Sequence, residues 1–262
     1  LMQQAQDFLD ESEALATLVS GLSDADFEQQ TQFKHWTINN IIRHLHVWNI
    51  AVGLSLESPD AFEDFLREMA SGIRGGRLPD FEARYLDGLS GVALQEQWIE
   101  KARAVAASFG QADPKLRLKW VGPDMSAISS ITARLMETWA HAQAVYDVLG
   151  VERVDSDRIG NIVRLGVNTY GWTFKNRGED VPGPMPRLRL TAPSSAIWDY
   201  GEGEDLIEGS ASEFCQVVTQ CRNIADTGLS VSGPVATNWM AVAQCFAGPA
   251  QDPPPKGARH RA

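Results

Sequence analysis

Across residues 2–150 the apolar side chains recur at the spacing of one helical face, in a background rich in Ala, Leu, Glu and Gln. Phe8, Leu15, Leu18 and Leu22 open the series, and the first helix is expected to stop near Gly21. A second should start at Trp36 or Thr37 and run towards Gly53, with others over 60–70, 94–109 and 129–150. That inventory fits an antiparallel helix bundle with long connections. The glycine-rich stretch 71–79 and part of 110–124 read as loops. One further helix is expected over 156–176, where Ile159, Val163, Tyr170 and Phe174 share a face, with a stop at Gly178.

The pattern then changes. Residues 181–186 hold three prolines, and 187–190 alternate polar and apolar as a half-buried strand does. Residues 196–200 and 205–208 fit two more short strands, Ser210 and Glu213 have the spacing of a capping box opening a helix through Cys221, and 236–246 fits a last helix. The expected fold class is α+β: a helix bundle over 1–150, a connecting helix and small α/β C-terminal domain over 151–249, and a loose tail over 250–262, where Pro253, Pro254 and Pro255 discourage regular structure.

Five histidines occur, at 35, 44, 46, 141 and 260. On the second helix Thr37, Ile41, His44, Trp48 and Val52 fall within a sector of about 80°, with Asn39, Arg43 and His46 opposite. His44 is therefore expected to face the core and His46 to face solvent. Glu137 and His141, four residues apart, stack on one face of the last bundle helix, with Gln143 and Asp147 on the opposite, wet face. A carboxylate at the edge of an apolar stripe is costly to bury without a positive partner, and a divalent ion would satisfy it. Two imidazoles and one carboxylate are a zinc ligand set that keeps a coordination position open. His44, Glu137 and His141 are thus the candidate ligands, although the same spacing also fits a surface hydrogen-bonded pair.

Charge narrows the partners. With 23 basic against 34 acidic side chains the formal charge is −11, which repels phosphate backbones and anionic lipid, so nucleic acid and membrane are not expected as partners. No apolar run approaches the ~20 residues of a membrane span. Cys215, Cys221 and Cys245 are an odd set without CxxC spacing, as expected in a reducing cytoplasm. The fingerprints of dinucleotide, P-loop, hydrolase-elbow and HExxH zinc sites are absent. Trp98, Trp120 and Trp239 are expected to be packing residues, whereas Trp48 lies one turn beyond His44 on the same face.

The run Trp36-Thr37-Ile38-Asn39-Asn40-Ile41-Ile42-Arg43-His44-Leu45, together with Glu137-Thr138-Trp139-Ala140-His141, resembles the DinB-like metal-binding superfamily, in the branch that contains mycothiol-dependent maleylpyruvate isomerase. The resemblance covers about 2–150 and implies an antiparallel four-helix bundle holding zinc, or another divalent ion, through His44, Glu137 and His141. It also implies a thiol-dependent transferase or isomerase acting on a small-molecule substrate, with a low-molecular-weight thiol at the open metal position. Trp48 and Arg134 are the substrate-binding candidates, Arg134 as a cation steering an anion or as a structural arginine. No catalytic residue is assigned, and a homodimer stays open. The alternative is a non-catalytic, metal-stabilised ligand-binding or structural module.

Overall fold

The structure, a computed structural model, describes residues 1–262 and contains ten α-helices and two sheets. The chain divides into two compact units, Leu1–Val148 and Leu149–Ala262. In the first, the long helices are α1 (Gln3–Val19), α2 (Ile38–Glu57), α5 (Gly91–Gln111) and α6 (Ala127–Leu149). Two shorter helices, α3 (Pro59–Gly72) and α4 (Leu78–Tyr85), connect α2 to α5, and a two-stranded ribbon of β1 (Arg117–Leu118) and β2 (Met125–Ser126) leads into α6.

Local chemistry sets the start and end of α2. The Thr37 hydroxyl accepts from the Asn40 amide at 3.1 Å, and the Asn40 side chain accepts from the Thr37 amide at 2.9 Å, a reciprocal box closing two orphan donors. The helix ends at Glu57 because Pro59 cannot continue its ladder and opens α3 instead. Helix α2 lies against α5, α3 and α4, while Arg134 of α6 hydrogen-bonds to its Asn49 and Leu45. It is therefore central, with no face left fully in solvent.

That centrality corrects one expectation. His46, expected in solvent, is only 4% exposed, and Asn39 on the same side is 1% exposed. A helix surrounded by others has no wet face for a wheel to find. The same holds for α6, where Gln143 and Asp147, expected to be wet, are buried and hydrogen-bonded to each other at 3.1 Å. Residues 78–85, partly expected as loop, form α4. Pro79 in its first turn, Asp80 beside the positive helix end and Phe81 four residues before Tyr85 account for the helix. Gly72 lets α4 close on α3, since a Cβ there would lie 2.5 Å from the Phe81 ring.

The second unit holds α7 (Gly160–Asn168) and α8 (Tyr170–Asn176), expected as one helix. They part at Thr169, whose hydroxyl donates back to the Leu165 and Gly166 carbonyls and competes with the backbone ladder. The proline-rich segment 181–186 then leads to β3 (Arg187–Thr191), β4 (Ile197–Tyr200), β5 (Leu206–Ser210) and β6 (Ser230–Ser232), in the order β4-β3-β5-β6. Strands β3 and β5 are parallel and the outer pairs antiparallel. Leu188 and Leu190 point into the core while Arg187, Arg189 and Thr191 face out. Helix α9 (Ala211–Val218) starts at Ser210, whose hydroxyl accepts from the Glu213 amide at 3.1 Å, and α10 (Pro234–Val242) starts under the Asp205 carboxylate.

The tail over 250–262 is not loose. Arg177 donates to Asp252 at 2.6 Å, Asn223 to the Pro254 carbonyl at 3.0 Å, and the Gly257 amide to Asp226 at 2.8 Å, while Arg259 is buried. Prolines exclude helix and ladder but leave carbonyls free to accept, as Pro254 does from Asn223, and the neighbouring Asp252 and Gly257 supply the other two attachments.

Candidate metal centre

Two helices bring the sequence candidates together. On α6 the four-residue step stacks Glu137 under His141, with Oε2 and Nε2 3.1 Å apart, and the His44 ring from α2 lies 4.6 Å from the His141 ring. One donor atom each of His44, Glu137 and His141 falls within 4.8 Å of the others. Zinc bonds nitrogen and oxygen at about 2.0–2.2 Å, so the three donors would have to draw somewhat closer to share one ion. His44 and His141 are 13% and 12% exposed and Glu137 28%, so the cluster is half-buried with an approach from outside.

Ligation needs neutral imidazole and ionised carboxylate. Burial pushes Glu137 up, but the His141 hydrogen bond and the nearby His141, His44 and Arg134 charges outweigh it and hold the carboxyl well below its usual range. Burial pushes His141 down, towards the neutral ring.

Behind His44 stands a residue the sequence reading missed. Glu82 of α4 is fully buried, and its Oε2 lies 2.8 Å from His44 Nδ1 and accepts from Trp48 Nε1 at 3.0 Å. Its Oε1 is buried without a partner. The helix signals at Pro79, Asp80, Phe81 and Tyr85 could have exposed α4, but nothing local ties Glu82 to a histidine 38 residues earlier.

The two substrate-binding candidates, Arg134 and Trp48, both make hydrogen bonds within the protein. Arg134 is 4% exposed and donates to Asn49 Oδ1 at 3.1 Å and the Leu45 carbonyl at 3.4 Å, which makes it a buried counter-charge beside Glu137. Burial pulls its guanidinium down to about 10, with Glu137 and Glu82 opposing, and it stays charged at neutral pH. Trp48 gives its indole N–H to Glu82 and packs its ring edge-on to Phe65 and Trp120. Trp98 and Trp239 are core residues, while partly exposed Trp120 stacks on Phe62 at 5.6 Å.

The segment before α2 walls the cluster. Trp36 stacks on His141, 5.9 Å away with planes 1° apart, and meets His44 edge-on, while Phe33 meets His141 edge-on at 5.1 Å. Both rings flank a tight turn closed by the Trp36 amide on the Phe33 carbonyl at 2.8 Å, with Lys34 and His35 at φ 50° and 59°. Two successive left-handed residues are a mirror-image hairpin turn, unusual without Asn or Gly.

Comparison with known proteins identifies the family and the fold. The family model described as mycothiol maleylpyruvate isomerase N-terminal domain matches residues 8–146. Two proteins from two strains of Mycobacterium tuberculosis, both named as uncharacterised, are each 34% identical over 243 residues, covering 91% of this chain and 93% of theirs. A crystal structure of the mycothiol-dependent maleylpyruvate isomerase aligns with TM-score 0.55 and 16% identity over 89% of this chain and 95% of that one. A histidine-to-alanine variant of that enzyme aligns with TM-score 0.53 and 17% identity, over 82% and 87% of the two chains. At such identities the structural likeness is one of fold.

Proposed function

This chain belongs to the mycothiol maleylpyruvate isomerase N-terminal domain family, and from that premise we propose that it is a thiol-dependent isomerase or transferase built around a divalent metal, zinc, held by His44, Glu137 and His141. In this reading α1, α2, α5 and α6 form a DinB-like four-helix bundle, and the substrate is a small molecule. The observation that supports it most is the convergence of three donors within 4.8 Å at a half-buried position. Three protein ligands fall one short of the closed shell of a structural zinc.

Zinc at that position would supply Lewis acidity, lowering the pKa of a thiol so that it is present as thiolate at neutral pH. The chain's own residues do the rest. Glu137, kept ionised beside Arg134, serves as ligand and not as general base. Trp36 and Phe33 cover the His141 ring and keep water off that side. Arg134 offsets the carboxylate charge, so the centre does not accumulate negative charge as an anionic thiol arrives.

Zinc-edge X-ray absorption on the reloaded full chain tests this, with and without mycothiol, and with N-acetylcysteine as a simpler thiol. The expected result is two histidine shells plus one new sulfur at about 2.3 Å on adding thiol. A shell already closed by a fourth protein ligand, and unchanged by thiol, would overturn the catalytic reading and leave a structural metal.

A further inference from the structure

We propose that Glu82 is the positioning residue for His44: its carboxylate holds Nδ1 and so turns Nε2 of the same ring towards the metal centre. The inference rests on the metal reading above and adds to it a residue outside the three ligands.

An imidazole offers a lone pair from one nitrogen only when the other carries the proton. Oε2 of Glu82 lies 2.8 Å from Nδ1; a carboxylate can only accept, so a neutral ring held by it carries its proton on Nδ1 and leaves the Nε2 lone pair for a metal. Ligating histidines are commonly held this way by a carboxylate, which fixes tautomer and ring angle and raises basicity. The carboxylate is itself fixed. Trp48, one turn beyond His44 on α2, donates to the same oxygen at 3.0 Å, so one helix supplies both donors. On the far side the Phe81 ring against Gly72 seats α4, and with it the Glu82 backbone.

The cost of this arrangement marks it as more than packing. Glu82 is fully buried, with two donors on one oxygen and none on Oε1. A buried carboxylate so incompletely satisfied is poor support for a fold, where an apolar residue of similar size would do as well or better. Held against a metal-ligand histidine, the same carboxylate gains a purpose that the fold alone does not give it.

The experiment compares the full-length wild type with Glu82→Gln, Trp48→Phe and His44→Ala, measuring zinc affinity by chelator competition, the visible spectrum of the cobalt-loaded protein, and thermal unfolding without metal. Glu82→Gln is expected to weaken zinc by about tenfold to a hundredfold and to shift the cobalt bands, while the metal-free protein melts at or above the wild-type temperature. Trp48→Phe should move affinity and bands in the same direction by less, and it keeps the inference testable if Glu82→Gln does not fold. Wild-type affinity and bands in both variants would overturn the positioning role, as would a lower melting temperature with unchanged bands. An oxygen ligand lost from the cobalt shell in Glu82→Gln would also overturn it, by making Glu82 a ligand. His44→Ala separates the two levels: retained uptake refutes the metal reading itself, whereas lost uptake beside an unaffected Glu82→Gln refutes the positioning alone.

Discussion

Two histidines two residues apart on α2 meet opposite surroundings. His44 is 13% exposed, backed by Glu82 and ringed by Trp36, Trp48 and His141. His46, on the side towards α5, is 4% exposed, and its Nδ1 has no partner. Burial, with the nearby Lys101 charge adding to it, pushes His46 down to about 4, so it stays neutral and serves as a packing ring. The more buried histidine is thus the less useful one. Ligating histidines commonly have a carboxylate at the second nitrogen, and His44 has one at Nδ1 whereas His46 Nδ1 has none.

The difference can be pushed from each side. The largest effect is expected on the His44 face: Arg134→Leu removes the buried cation beside Glu137 and strands Asn49, and should cost about 3–5 kcal/mol in denaturant unfolding. A loss near zero would mean that the carboxylates there are not held by this charge. On the His46 face the signature is pH. The ring is neutral when folded and charges when unfolded, so its contribution is complete above pH 6.5 and is lost as pH falls from 6.5 towards about 4. The loss is about 3 kcal/mol at most, and His46→Leu should flatten that limb of the stability curve. An equally steep limb in the variant would assign it to other groups. The smallest effect is expected in the turn that walls His44 and His141. Replacing Lys34 by Asn and His35 by Gly suits the left-handed pair and should raise stability by about 1 kcal/mol. A lower melting temperature would show that the native side chains hold the turn.

The contrast between these faces also explains what could be read from the sequence. Period and caps were enough for α2 and α6, because Thr37 opens one sharply and the step from Glu137 to His141 is a property of any helix. The three candidate ligands rest on those two faces together with the family resemblance, and the structure brings them within 4.8 Å of one another. His46 went to the wrong environment because a wheel ranks faces relative to one another, and in a central helix the lesser face is buried too. Glu82 was out of reach for a different reason. Its partnership with His44 depends on how the α3–α4 connection folds back, a long-range contact that no local pattern encodes. The tail failed similarly, since its prolines speak against regular structure but say nothing of the distant donors that fasten it.

The central claim is that the His44 face, and not the His46 face, holds the ion, and metal content after stripping and reloading with zinc tests it most directly. Wild type and His46→Ala should each retain about one equivalent, while His44→Ala and His141→Ala should retain almost none. Loss of zinc from His46→Ala with full retention by His44→Ala would contradict the account.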